Sequence, residues 1–367
     1  MNSYRPTRRK FLRHSSLGFV AAASGIFSTG SAGAAPTLIV ADPGGEWQEA
    51  ARAAFYAPFQ AATGTAVRFT SRPSLPLPQP LSQLDAAELA HNVQWDVTEL
   101  PDYLMYLGGK TGLLQPIDTS GMDTAGMLEG ALTPYGVGIG ARATIMAYST
   151  RKWPAGQGPK SWADFWDVAR FPGRRAMSGI GYGPLEFALL ADGVPADELY
   201  PLDIERALLK LSEIKPHVEV WWTSGAQQEQ LMRDGAVDLI QGRNDRLEGG
   251  VAGGAPFHLE WNQGLYQWEG WAVPKGAPDA AEAAKFIAFA MRAKQQAIFA
   301  EHIAYGPANG GALALIPTEK QVTLPTYPPN LKQLTRTNAE WLAANLYALT
   351  VAWARWVAGC RWAGAAC

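Results

Sequence analysis

The chain has 367 residues, and its 31 Lys and Arg against 33 Asp and Glu leave a formal charge of −2. That balance argues against the basic surface that nucleic-acid or phosphate binding demands. With 47% hydrophobic residues and no run of like charges, internal repeat or low-complexity tract, the sequence also excludes a disordered chain or a solenoid.

The first element is Thr7-Arg8-Arg9-Lys10-Phe11-Leu12-Arg13, followed by an apolar stretch from Leu17 to Phe27 and small residues at Ala32-Gly33-Ala34. This is the layout of a twin-arginine export signal over residues 1–34, with cleavage near Ala34. Gly18, Ser24, Gly25, Ser28 and Gly30 make it too short and too polar for a membrane span, which takes about 17–25 strongly apolar residues. The signal holds Arg5, Arg8, Arg9, Lys10 and Arg13 and no acidic residue, so the remaining chain, enough for two α/β domains, carries a charge of about −7. No cysteine stands directly after the apolar stretch, which argues against a lipid anchor. An exported protein is expected.

The mature chain opens with Leu38-Ile39-Val40-Ala41, then Asp42-Pro43-Gly44-Gly45, then Trp47, Ala51, Ala54, Phe55 and Phe59 at helical spacing: strand, glycine turn, amphipathic helix. The alternation continues with a strand at Val67–Phe69, a Pro-rich loop through Pro80, a helix around Leu81–His91 and a strand at Trp95–Leu100. Strands alternating with helices predict a parallel sheet with helices on both faces. Helix starts are marked by acceptor pairs at Ser161 with Asp164, Ser224 with Gln227 and Asp279 with Glu282. Stops fall at Gly193, Pro216 and Gly235. Further strands are expected at Ala143–Tyr148, Val218–Trp222, Val237–Gln241 and Trp271–Pro274, and a last apolar helix at Ala339–Ala358. Cys360 and Cys367 close the chain, either as a terminal disulfide or as two thiols.

Several motifs fail on context. Gly109-Lys110-Thr111 lacks the earlier glycine of a P-loop, because position 104 is Leu. Gly136-Val137-Gly138-Ile139-Gly140-Ala141 spells a dinucleotide fingerprint, but the following residues through Tyr148 alternate as a strand and open no helix. The five histidines show no metal-binding spacing, and no Gly-x-Ser-x-Gly elbow occurs. No cofactor, metal or catalytic residue is expected.

The chain resembles the periplasmic solute-binding proteins of ABC importers, in the spermidine/putrescine-binding branch. The resemblance is carried by Gly44-Gly45-Glu46-Trp47-Gln48-Glu49-Ala50, Pro58 to Gly64, Trp95-Asp96-Val97, Gly112 to Asp118, Pro159 to Trp166, Phe171-Pro172-Gly173 and Tyr305 to Asn309, in that order along nearly the whole mature chain. It implies a two-lobed α/β fold of type II, each lobe a mainly parallel sheet flanked by helices, closing on ligand about a hinge. With crossovers near Gly140 and Trp271, residues 35–140 and 272–367 would form one lobe and 141–271 the other. The implied role is capture of a small amine, a polyamine-type ligand such as putrescine or spermidine, in the periplasm, as a monomer, and delivery to an ABC permease in the inner membrane, with no nucleic acid involved and no turnover.

An amine calls for a carboxylate and aromatic walls, because a desolvated charge is costly unless paired. The resemblance places an acidic amine ligand in Tyr266-Gln267-Trp268-Glu269-Gly270-Trp271, which makes Glu269 the acid and Trp268 and Tyr266 the nearest walls; otherwise Glu269 is a surface charge on an edge strand. Trp47 either covers the cleft or packs on its own helix, while Trp162 and Trp166 are expected in the core. Arg243 departs from the polyamine pattern. Facing a carboxylate it offers a two-pronged hydrogen bond, so Glu269 and Arg243 together suit a zwitterion such as γ-aminobutyrate or an opine-like conjugate; alternatively Arg243 pairs with Asp245 or Glu269 and only shapes the pocket. Gly44 and Gly45 at a helix start, Glu99 and Asp102 at a strand end, and Ser224 with Gly225 complete the candidates. An exported enzyme on the same scaffold is the competing reading. A ferric-ion binder would want adjacent tyrosines, and no Tyr-Tyr pair occurs.

Overall fold

A computed structural model describes residues 36–71, 79–180 and 184–359. The export signal and both cysteines lie outside the described residues. Eight principal strands form one mixed sheet: β1 (Thr37–Asp42), β2 (Ala66–Ser71), β3 (Val97–Pro101), β4 (Gly136–Ser149), β5 (Arg175–Ser178), β6 (Val218–Trp222), β7 (Leu239–Arg243) and β8 (Phe257–Ala272). Their order is β2-β1-β3-β8-β4-β7-β5-β6. β2, β1 and β3 are mutually parallel, as are β7, β5 and β6. Between these two triads run β4 and β8, antiparallel to each other and to their outer neighbours.

The mixed sheet carries one correction to the expected parallel arrangement. The returning strand is not the short Trp271–Pro274 segment but the 16-residue β8, and β4 begins at Gly136, inside the rejected fingerprint. Mostly apolar and small residues let β4 run through the buried centre, and the Trp268–Ala272 end of β8 is buried beside it. At their crossing the backbones nearly touch: a Cβ on Gly270 would lie 2.0 Å from the Val137 carbonyl oxygen. The ladder slips by one residue between Gly138 and Gly140 at the same place.

The opening turn follows from one buried acid. Asp42 accepts hydrogen bonds from Gly44 N, Gln48 Nε2 and the Tyr56 hydroxyl at 2.7–2.8 Å. Gly44 takes φ +76°, and a Cβ there would meet Ser71 Oγ at 2.8 Å, so only glycine fits. Helix α1 (Gly45–Ala51) then sets Trp47 edge-on against Trp271 and Phe299 in the first core. A second core holds Trp162, Phe165 and Phe187, with Trp162 4.3 Å from Phe187. The other helices that position the site are α2 (Asp102–Lys110), α3 (Leu185–Ala191), α4 (Ile204–Ile214), α5 (Gly225–Arg233) and α6 (Asn244–Ala252). The last helix, α7 (Ala339–Val357), pairs Lys110 of α2 with its Glu340. It also packs Trp353 and Trp356 on Trp221 of β6. Among the described residues no helix is long and apolar enough to cross a membrane.

Candidate functional site

The carboxyl ends of β1, β3, β5, β6 and β7 all open onto one cavity of about 420 Å³. Ligand crevices of α/β sheets form at such strand ends, and the volume falls in the range of about 300–1,000 Å³ usual for small-molecule sites. The two parallel triads face it from opposite sides, while β4 and β8 supply Arg142 and Glu269 between them.

Glu269 is buried, not a charge on an exposed edge. Its Oε1 accepts from Arg142 Nε and from Gln267 Nε2, and its Oε2 from the Tyr305 hydroxyl at 3.1 Å. Burial alone would raise its pKa, yet the guanidinium groups of Arg142 and Arg243 hold it below the usual carboxylate value. In the other direction burial opposes the Arg142 charge, and Glu269 with its neighbours more than restores it. Arg142 commits only Nε to the pair. Its two terminal amino groups make no hydrogen bond among the described residues, and the side chain, 18% exposed, lies on the cavity wall.

Arg243 is the second cation on the wall. It is forked onto Asp245, with Nε–Oδ1 at 3.2 Å and Nη2–Oδ2 at 2.8 Å, and its Nη2 also reaches the Tyr305 hydroxyl at 3.5 Å. Of the two readings of Arg243, the pairing with Asp245 is present, and Nη1 still has no hydrogen bond among the described residues. Asp245 also lies 3.2 Å from Arg246 Nε, and Arg243 and Arg246 overcome burial to keep its pKa below the ordinary value. Behind Arg243 its own N–H donates to Gln228 Oε1 at 2.8 Å. Gln228 Nε2, fully buried at the wall, has no hydrogen-bond partner among the described residues.

The remaining candidates separate cleanly. Tyr266, Glu99, Gly44 and Ser224 lie on the cavity wall. So does Trp47, which both packs in the core and lines the cavity, its indole N–H without a hydrogen-bond partner among the described residues. Ser224 caps α5 through Gln227 N at 3.2 Å. Trp268 is a correction: the strand pleat turns it away from the side that carries Glu269, into a pocket of Ala131, Ala141 and Ala308, with its N–H on Glu129 O. Gly45 is another, since it does not line the cavity and the N–H of Gly44 already donates to Asp42. Asp102 lies behind the wall, where it accepts from Tyr103 N and Trp268 N; burial raises its pKa to about 7.

Sequence reasoning missed Arg142, Glu186 and Tyr305. A charge in an otherwise apolar element wants a reason, and that signal marks both Arg142 in β4 and Glu186 in α3. Glu186 is buried on the wall, with Tyr200 OH 3.1 Å from Oε1, and burial raises its pKa to about 7. Among the described residues no cluster of His, Cys, Asp and Glu suits a metal.

Residues 54–326 match the model of a family described as bacterial extracellular solute-binding protein. The chain is 34% identical over 324 residues to a γ-aminobutyric acid-binding protein of Pseudomonas aeruginosa, covering 86% of this chain and 89% of that one. Its structure is similar, with TM-score 0.81 and 35% identity over 88% of this chain and 99% of the other, to an ABC transporter substrate-binding protein of Bradyrhizobium japonicum. A binding protein of Agrobacterium tumefaciens R10 solved in complex with agropinic acid gives TM-score 0.74 and 34% identity over 88% of this chain and 99% of that one.

Proposed function

The chain belongs to the bacterial extracellular solute-binding proteins of ABC transporters, which bind solutes and are not enzymes, and we propose that its ligand is a small zwitterion carrying a carboxylate and an amine, of the γ-aminobutyrate class. The observation that carries this reading is the pair of incompletely used guanidinium groups, Arg142 and Arg243, on the cavity wall. Arg246 adds a third cation to the same wall. Fixed cations repel a di- or trication, whereas a carboxylate between Arg142 and Arg243 gains charge-assisted hydrogen bonds from donors already oriented by Glu269 and Asp245. The similarity to the γ-aminobutyric acid-binding protein supports the zwitterion over the polyamine expected from the sequence.

In this reading Glu269 does not grip the amine. It orients Arg142 and Tyr305, and the ligand meets what they present. The lobes are 35–140 with 272–367 and 141–271, their hinge lies where β4 and β8 change partners, and closure brings Trp47 and Glu99 toward Ser224 and Arg243. The export signal delivers the protein to the periplasm, where the closed form docks on its permease as a monomer. Calorimetry with γ-aminobutyrate, putrescine and spermidine tests the ligand class. Stoichiometric binding of γ-aminobutyrate, with the polyamines much weaker, is expected; tighter binding of either polyamine would overturn the proposal.

A further inference from the structure

We propose that Glu186 is the ammonium-receiving group of the cavity and that Tyr200 is its positioning residue, an assignment that rests on the zwitterion reading above. Three carboxylates line the cavity: Glu99, Glu186 and Glu269. Glu269 has both oxygens engaged and sits in the field of two arginines. An ammonium there would displace Arg142 or share its acceptor.

Glu186 is in the opposite situation. It is 2% exposed, yet among the described residues no Lys, Arg or His pairs with it. Among the described residues its only hydrogen-bond partners are the Tyr200 hydroxyl and its own backbone N–H. A carboxylate offers about four acceptor positions, so at least one lobe of each oxygen pair stays open to a donor. An unpaired buried carboxylate is costly when ionised, and a cation brought in by the ligand removes that cost. Neighbouring Phe187 and Leu265 on the wall keep the surroundings dry, which strengthens the pairing. Tyr200, held edge-on to Trp341 at 5.5 Å, fixes the carboxylate plane through its hydroxyl.

Carboxylate recognition by Arg142 and Arg243 together with ammonium recognition by Glu186 makes the site a gauge for amino acids whose two charges are separated along a chain. The test compares γ-aminobutyrate with butyrate, which keeps the carboxylate and chain but lacks the ammonium. Calorimetry on the full mature protein should show γ-aminobutyrate favoured about tenfold or more, as for a desolvated charge pair. Glu186→Gln should remove that preference and leave butyrate affinity unchanged. Tyr200→Phe, which keeps the carboxylate and removes only the orienting hydroxyl, should reduce the preference partway, again without changing butyrate. A preference that survives Glu186→Gln would place the ammonium elsewhere and overturn the assignment. So would equal losses for both ligands, which mean a structural role. Failure of the wild-type protein to bind γ-aminobutyrate at all would instead bring down the reading of the ligand class itself.

Discussion

Glu269 and Glu186 line one cavity and are buried to nearly the same degree, yet the protein treats them oppositely. The first has Arg142 and Arg243 at hand and stays ionised below its usual pKa; the second has a tyrosine hydroxyl and is lifted to about 7. What differs is neither residue type nor burial but the presence of a cation in the surrounding fold. Around Glu269 the cavity is electrostatically complete and presents its surplus of donors; Glu186 is an acceptor with a hydroxyl donor and, among the described residues, no cation. Pairs of titratable groups pushed apart in this way divide a site into roles.

The largest effect should come from breaking the complete group around Glu269. Arg142→Met leaves the Glu269 carboxylate buried without its main partner, a loss of about 3–5 kcal/mol for a pair broken on one side. Denaturant unfolding should show it, and Arg142→Met combined with Glu269→Gln should recover most of it. If the single variant costs no more than the double, the pair is not what holds the crossing of β4 and β8.

The acceptor without a cation should appear in the pH dependence of stability. Glu186 is raised from 4.5 to about 7 in the folded protein, so its contribution is fully present below pH 4.5 and lost as pH rises through 7. The size implied is about 3 kcal/mol. Asp102, also raised to about 7, acts in the same direction, so the informative quantity is wild type minus Glu186→Gln. That difference should fall steadily from about pH 4 to pH 8; a flat difference would mean Glu186 is already compensated.

Arg243 belongs to the Glu269 group, its Nη2 3.5 Å from the Tyr305 hydroxyl that donates to Glu269. Its removal leaves Asp245 with Arg246 3.2 Å away, so the fold should tolerate Arg243→Ala. γ-Aminobutyrate affinity should drop about 10- to 100-fold, the range of a hydrogen bond to a charged group, while putrescine binding stays level or improves. Equal loss of both ligands would reduce Arg243 to a shaping role.

The sequence made the strand–turn–helix opening, the caps at Ser161, Ser224 and Asp279, and the core positions of Trp162 and Trp166 readable, because each depends on residues within a few positions of one another. Glu269 was singled out by the family resemblance, and Arg243 by its departure from the polyamine pattern. Their partners were not. Arg142 and Glu269 are 127 positions apart and meet only because β4 and β8 pair antiparallel. Trp268 shows the converse: a one-residue step along β8 decides between cleft and core, and the pleat that decides it is set by the sheet.

The smallest effect concerns Glu46 and Arg246, which join α1 to α6 with Nη1–Oε2 at 2.7 Å. Glu46 is 69% exposed, whereas Arg246 is 20% exposed and held as well by Glu229 at 3.0 Å. Glu46→Gln therefore leaves Arg246 in place and removes only a surface attraction, worth about 0–1 kcal/mol and screened by salt. The two helices follow β1 and β7, whose carboxyl ends both line the cavity, so in the closure proposed above this attraction acts on the closed form more than on folding. The ligand dissociation rate in Glu46→Gln should rise about two- to fivefold at low ionic strength, an amount within that energy range, and match wild type in high salt. An unchanged rate at low salt would show that the pair does not help hold the halves together, and that the arginines, Glu269 and Glu186 inside the cavity carry that task alone.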